Sequence, residues 1–143
     1  MEVIWLELEV LYLEREINMK KIISTKKAPP AIGPYSQAIL TKNTLYCSGQ
    51  IAINPVTGNL VTDNIIDETN QVMKNIEAVL NAANMNFSNV VKCSIFLKNM
   101  EDYSKINDIY SSYFSSEPPA REAVEVSSLP KNVNVEISVV AIY

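Results

Sequence analysis

One arginine stands apart in the main part of this chain. Residues 19–143 contain ten lysines but a single arginine, Arg121, which follows Pro118, Pro119 and Ala120. Lysine carries a mobile point charge, whereas the planar guanidinium of arginine can grip a carboxylate or a phosphate through two parallel hydrogen bonds. Arg121 is therefore a candidate anion-binding residue, although the position by itself also fits an ordinary surface arginine.

Glu136 is a second residue whose chemistry does not match its surroundings. It lies in the segment NVNVEISVV, where residues 133, 135, 137 and 139 are apolar and share one face of a predicted strand. The side chain of Glu136 then points to the opposite face. A carboxylate in the middle of such a strand is costly unless it is solvated, paired or functional, so Glu136 is a candidate functional acid.

Gly49 is the best placed of the three glycines for contact with a ligand. In the segment CSGQI it ends a predicted strand, where the missing side chain would let a ligand approach the main chain. The alternative is a simple turn at the strand end, as expected for Gly58 in NPVTGN.

Composition excludes several kinds of site. The chain contains no histidine, which excludes Ser-His-Asp triads, Cys-His dyads and histidine-ligated metals. The two cysteines, Cys47 and Cys93, lie far apart inside apolar runs, and we expect them to be buried free thiols in a reducing compartment. We therefore expect no metal site and a cytoplasmic protein.

Charge and hydropathy limit the expected partners. Residues 1–18 hold five glutamates and one arginine, which accounts for the whole formal charge of −4 and leaves residues 19–143 neutral. A neutral domain without a basic cluster lacks the electrostatic attraction that nucleic-acid binding needs, so no nucleic-acid partner is expected. No stretch reaches the ~18 apolar residues of a membrane span, so no membrane association is expected.

The elements that would carry these residues follow an α+β order. Residues 1–18 have both helical and strand-like spacing and differ in composition from the rest. We interpret them as an N-terminal appendage of unknown role and residues 19–143 as a single domain. Within the domain, alternation and turn signals predict the order βββαβαββ, a mixed sheet with two helices on one face.

Two helices and a long strand are predicted between Asp67 and Phe114. The first helix opens at Asp67 and Glu68, since acids favour the positive end of a helix. The second is capped by Asn99 and ends at about Phe114. Between them, VVKCSIFLK alternates as a strand with four apolar residues on one side: Val91, Cys93, Ile95 and Leu97.

The strands carry more apolar surface than two helices can cover. The residues expected on the uncovered face and around it are Cys47, Val124, Val126, Val135, Ile137, Val139 and Ile142. Burial of such a face between copies of the chain is the simplest solution, so the pattern predicts an oligomer.

Four separated motifs resemble those of the Rid family, the YjgF-type reactive intermediate enamine/imine deaminases. They are APPAIGPYSQA (28–38), SGQIAINPVTG (48–58), PAREAVEV (119–126) and LPKNVNVEI (129–137). The resemblance covers about residues 20–143. It implies a chorismate-mutase-like α+β fold assembled as a homotrimer, with three sites in the clefts between subunits.

The resemblance also implies which residues bind the substrate. Arg121 would hold the carboxylate of a short 2-enamino or 2-imino acid such as 2-aminoacrylate or 2-iminobutanoate. Gly49 would add its backbone N–H, Ser48 a hydroxyl at the pocket wall, and Tyr35 a ring that closes the site. Asn107 matches a family asparagine near the site, and a hydrogen bond within the core is the alternative role for it.

The implied reaction is hydrolytic deamination. Glu136 would orient the water, with help from the backbone carbonyl of Ala123, and the products would be a 2-keto acid and ammonia. No metal or organic cofactor is implied. Because family members are also described as ribonucleases, translation inhibitors or chaperones, a small-carboxylate-binding or chaperone-like trimer and an endoribonuclease are the alternatives.

Overall fold

Six strands form one mixed sheet in this computed structural model, which describes residues 2–143. The spatial order of the strands is β1-β2-β3-β6-β4-β5. Only β4 and β5 run parallel, and the other neighbours are antiparallel. The strands are β1 Lys21–Ile23, β2 Ala38–Thr41, β3 Thr44–Cys47, β4 Val90–Leu97, β5 Ala120–Glu125 and β6 Val135–Ile142. The predicted α+β class and strand–helix order of the domain are confirmed.

The two helices of the domain begin and end close to their predicted positions. Helix α2 spans Ile65–Ala82 and begins earlier than expected, because the side chain of Asn64 caps it by accepting a hydrogen bond from the Asp67 N–H. Helix α3 spans Tyr103–Ser112 and follows a 3-10 turn whose N-cap is the predicted Asn99.

The hydrophobic core lies between the helices and one face of the sheet. Helix α2 places its apolar stripe there, as the i, i+3, i+4 spacing requires. Residues with almost no exposed surface in this layer include Val72, Met73, Ile76, Val79, Leu80, Cys93, Ile95, Leu97 and Ile137.

The opposite face of the sheet carries no helix, and the prediction of its residues was partly wrong. Four of the expected residues, Cys47, Val135, Ile137 and Val139, are buried in the helix-covered core. The uncovered face instead carries apolar residues in two register-paired rows, one across β1, β2, β3 and β6 and one across β4 and β5. These residues are Ile22, Ile39, Tyr46, Val140, Phe96 and Val124. Alternation alone groups residues by face but does not say which face the helices cover.

A bulge in β4 reverses the predicted orientation of one further residue, Val91. The register between β4 and β6 shifts between Val90 and Lys92. As a result Val90 is buried, while Val91, which was predicted to share a face with Cys93, is 41% exposed. One extra residue in a strand reverses the face of the sheet to which the preceding side chains point.

The N-terminal segment forms helix α1, Glu2–Asn18, which resolves the ambiguity of its spacing. The side chains described within it, those of residues 3–15, are all exposed, and the buried core begins with Ile23. No helix within the described residues is long and apolar enough to cross a membrane.

A protein that begins at Met19 is expected to fold as the full chain does, because α1 supplies no described residue to the core. Its melting temperature should stay within about 2 °C of that of the full chain by differential scanning calorimetry. As a control, a protein that begins at Ser24 also lacks β1 and buried Ile23 and should melt at a clearly lower temperature. Equal destabilisation of the two proteins would contradict the assignment of residues 1–18 as an appendage.

Candidate functional site

A cavity of about 530 Å³ lies where the loop before β2, the segment after β3 and the start of β6 meet. Four of the residues predicted for the site line it: Tyr35, Ser48, Gly49 and Glu136. The remaining lining residues are Pro29, Pro30, Ile32, Gln37, Gln50, Ile51, Ile53, Pro130 and Lys131.

Backbone hydrogen bonds fix the wall of this cavity that contains Gly49. The N–H of Gln50 donates to the carbonyl of Ile137 at 2.8 Å, and the N–H of Ile137 donates back at 3.1 Å. The Ser48 hydroxyl donates to the carbonyl of Ser36 at 2.6 Å. The segment after β3 therefore runs beside β6, and the hydroxyl of Ser48 already uses its proton within the protein.

A buried amide holds the opposite wall. Gln37 is 4% exposed. Its side-chain oxygen accepts a hydrogen bond from the Thr25 N–H at 2.7 Å, and its nitrogen donates to the carbonyl of Pro29 at 2.7 Å. Gln37 thus ties the proline-rich loop to the sheet. The sequence did not single it out, because a polar residue beside a strand does not reveal that its partners are loop carbonyls.

Tyr35 stands at the mouth of the cavity with 55% of its surface exposed. Its N–H donates to the Gly33 carbonyl at 2.9 Å, and its hydroxyl accepts from the Ile32 N–H at 3.3 Å. Gly33 has φ of +130°, which an L side chain rarely adopts. The glycine therefore permits the tight loop that turns the tyrosine ring back toward the cavity.

Glu136 packs directly against the main chain at Gly49. A β-carbon placed on residue 49 would lie 2.8 Å from Cδ and 3.0 Å from Cγ of Glu136, so any larger residue there would force the Glu136 side chain to move. Burial raises the pKa of the Glu136 carboxyl. A carboxyl that holds its proton to higher pH than usual is better matched to proton transfer near neutrality.

A second acid, Glu68, fixes the segment of chain that leads into Glu136. Glu68 of α2 is fully buried, and its two oxygens accept hydrogen bonds of 2.7 Å from the backbone N–H and the side-chain amide of Asn134. The Asn134 carbonyl in turn accepts from the Lys98 N–H at 2.9 Å. Glu68, predicted only as a first-turn acid, therefore anchors the chain two residues before Glu136.

Arg121 lies in a different environment, against α3. Its Nη1 donates to Asn107 Oδ1 at 2.8 Å and its Nη2 donates to the Tyr103 hydroxyl at 2.7 Å. Its Cζ lies 4.8 Å from the centre of the Tyr110 ring and 5.7 Å from that of Tyr103, within the range of cation–π attraction. Of these partners, the sequence singled out only Asn107.

These partners of Arg121 are all neutral. The neighbouring acid, Glu122, points to the other face of β5, where it forms an ion pair with Lys92 and accepts a hydrogen bond from Ser94. Within the described part of the chain, the guanidinium is thus hydrogen-bonded and half-buried without a carboxylate to neutralise it. Such a charge is suited to an anionic ligand.

The register of the sheet separates the two groups of residues. Arg121 pairs with Cys93 and Glu136 pairs with Phe96. Because Cys93 and Phe96 are three residues apart on β4, Arg121 and Glu136 point to opposite faces of the sheet. Asn107 contacts Arg121, and Ala123 lies on the same face of β5 as Arg121. One chain therefore does not bring all the predicted site residues into a single cavity.

The described residues contain no metal-ligand cluster. No group of three or more histidine, cysteine, aspartate or glutamate side chains comes together among them. Cys47 and Cys93 are buried and free, as predicted. Burial raises the pKa of Cys47 to about 12 and also raises that of Cys93, so both thiols stay protonated.

The chain is similar to known proteins over nearly the whole domain. Residues 25–143 match the family model described as endoribonuclease L-PSP. The human protein named 2-iminobutanoate/2-iminopropanoate deaminase is 47% identical over 124 residues, which cover 87% of this chain and 90% of that one. The crystal structure of YyfA, a Rid family protein from Yersinia pestis, is 52% identical with a TM-score of 0.86, covering 87% of this chain and 100% of that one. E. coli TdcF, solved with bound serine, is 33% identical with a TM-score of 0.83, covering 86% and 98%.

Gly49→Ala is expected to reduce the free energy of unfolding by about 1 kcal/mol, because the new methyl group displaces the half-buried side chain of Glu136. Adding Glu136→Ala removes the obstruction and should restore most of that loss in urea denaturation. Gly58→Ala is the control: no atom lies within 4 Å of its new β-carbon, so Glu136→Ala should not change its cost. A Gly49→Ala cost that persists in the double variant would contradict the observed packing.

Proposed function

Because this chain belongs to the endoribonuclease L-PSP family, which is the Rid (YjgF-type) family, we propose that it deaminates short 2-enamino and 2-imino acids by hydrolysis. The products would be 2-keto acids and ammonia. The observation that carries the proposal is the guanidinium of Arg121, held by neutral groups and left with an uncompensated charge. The name of the human relative, a 2-iminobutanoate/2-iminopropanoate deaminase, supports this substrate class.

Arg121 would bind the carboxylate of the substrate. Two of its N–H groups are used by Asn107 and Tyr103, and a guanidinium has five. The remaining donors can form the paired hydrogen bonds that a planar carboxylate accepts. Lysine has its donors on one nitrogen and cannot reproduce this arrangement, which explains why the domain retains one arginine among its lysines.

Glu136 would act on the water. The enamine first takes a proton from solvent at its terminal carbon and becomes the protonated imine. Water then adds to C2, and the resulting carbinolamine loses ammonia to leave the keto acid. Glu136 would hold the water and accept its proton as the C–O bond forms, with Gly49, Ser48 and Tyr35 lining the pocket and the carbonyl of Ala123 as a further contact. Since the substrate is intrinsically reactive, positioning and proton transfer are sufficient without a metal or organic cofactor.

The complete site would be shared between copies of the chain. Arg121 and Glu136 face opposite sides of the sheet, so a three- or four-carbon acid cannot contact both within one chain. The uncovered face, with exposed Tyr46 and Val124, offers an apolar surface for association. A homotrimer with sites in the clefts between subunits would bury this apolar surface and would bring Arg121 of one subunit to Glu136 of another. The buried free thiols favour the cytoplasm as its compartment.

Purified protein is expected to accelerate the loss of 2-aminoacrylate generated by a serine dehydratase, followed by the absorbance of the short-lived intermediate. Arg121→Lys should lower kcat/KM about 10- to 100-fold, because a charged hydrogen-bond pair contributes about 1.5–3 kcal/mol. Lys74→Arg, an exchange of the same two residue types at an exposed position of α2 that does not line the cavity, serves as the control and should change it little. Absence of acceleration by the unaltered protein would favour a carboxylate-binding role. RNA cleavage that Arg121→Lys leaves unchanged would favour a ribonuclease.

The shared site predicts complementation between two inactive variants. Subunits with Arg121→Ala and subunits with Glu136→Ala, co-expressed in equal amounts, should regain about a quarter of the normal activity. Each site would then draw an intact Arg121 half of the time and an intact Glu136 half of the time. Light scattering should give the mass of three chains for the mixture and for each variant. If the mixture is as inactive as the separate variants, the site does not combine residues of different subunits.

A further inference from the structure

Helix α3 presents three side chains to a single residue of β5. Tyr103, Asn107 and Tyr110 are spaced i, i+4 and i+7, which places them on one face of the helix. That face meets Arg121, so the guanidinium has a tyrosine ring on its flat side and a hydrogen-bond acceptor for each of its terminal nitrogens. We refer to these three residues as the α3 cradle.

The members of the α3 cradle make different contacts. Tyr110 is 4% exposed and contributes its ring from within the core. Asn107 accepts from Nη1 through its amide oxygen. Tyr103, at the first residue of α3, is only partly buried and accepts from Nη2 through its hydroxyl at 2.7 Å. Exchange of Tyr103 for phenylalanine therefore removes a hydrogen bond to the guanidinium and keeps the ring and the helix.

We infer that Tyr103 is a positioning residue, whose hydroxyl fixes the plane of the Arg121 guanidinium so that the remaining N–H donors meet a substrate carboxylate. An arginine side chain has many rotamers, and a ligand that must immobilise it loses affinity. Tyr103 and Asn107 hold both terminal nitrogens before the ligand arrives. This inference rests on the proposed function for the identity of the ligand, since it assigns a carboxylate to Arg121.

The neutrality of Tyr103 is part of this role. A carboxylate at the same place would fix the guanidinium equally well, but it would neutralise the charge and compete with the substrate. A phenol hydroxyl orients the guanidinium and leaves its positive charge available. The α3 cradle therefore favours ligands with an ionised carboxyl group over the corresponding amides.

Tyr103→Phe is expected to raise KM for 2-aminoacrylate about 3- to 10-fold while kcat stays within about 2-fold, since orientation is lost but the reacting groups are untouched. The dissociation constant for 2-oxobutanoate, a stable 2-keto acid, should rise by the same factor in calorimetric titrations. Binding of 2-oxobutanamide, which lacks the charge, should be weak and equal in both proteins. Tyr143→Phe is the matched control, because it removes a hydroxyl that donates to the Ala83 carbonyl at 2.6 Å far along the chain from the cradle.

The titration separates this inference from the proposed function, because it needs no turnover. If the unaltered protein binds 2-oxobutanoate more tightly than Tyr103→Phe but accelerates no deamination, Tyr103 positions Arg121 for a carboxylate and the proposed reaction is wrong. Equal affinities of the two proteins, or no binding by the unaltered protein, overturn the role of Tyr103. A loss that Tyr143→Phe shares, in step with a lower melting temperature, overturns it as well.

Discussion

The two-residue repeat of side chains along β4, β5 and β6 controls which face of the sheet Arg121 and Glu136 occupy. On one face of these strands, Cys93, Ile95 and Ile137 pack beneath the helices. On the other face, Glu136 is paired beside Phe96 and reaches the cavity next to Gly49. A strand that must bury one face completely cannot slip by one residue without turning that face to solvent. The stability of the core therefore also fixes the direction of the Glu136 carboxyl.

Helix packing connects the core to both parts of the site. Helix α2 sends Glu68 under the start of β6, where it satisfies the amide groups of Asn134. Helix α3 supplies the side chains that surround Arg121. A buried carboxylate is tolerable only when donors are aimed at it, and a guanidinium over aromatic rings is favourable because it is weakly hydrated. The two helices that cover the apolar sheet therefore also fix the chain just before Glu136 and the guanidinium of Arg121.

The two ionisable residues proposed to act on the substrate have opposite electrostatic surroundings. Burial raises the pKa of Glu136, so its neutral form is favoured more than in an exposed glutamate, whereas Arg121 remains charged among neutral partners. Binding of an anion by the arginine and uptake of a proton from water by the Glu136 carboxylate are compatible requirements of one reaction. Their separation on the two faces of the sheet is the structural reason for proposing a site shared between copies of the chain.

Local patterns in the sequence determined the order of the strands and helices, the position of Glu136 on the strand face opposite its apolar neighbours, and the distinction of Arg121 as the one arginine of residues 19–143. These features depend on spacing within one segment and on residue type. The four motifs also identified the family, which the similarity of residues 25–143 confirms. Contacts between distant segments decided the rest. The pairing of Arg121 with Cys93, the burial of Glu68, the bulge at Val90 and the hydroxyl of Tyr103 beside the guanidinium each join elements far apart in the chain. No local period encodes which strands become neighbours or which face the helices cover, so these features emerged only with the tertiary structure.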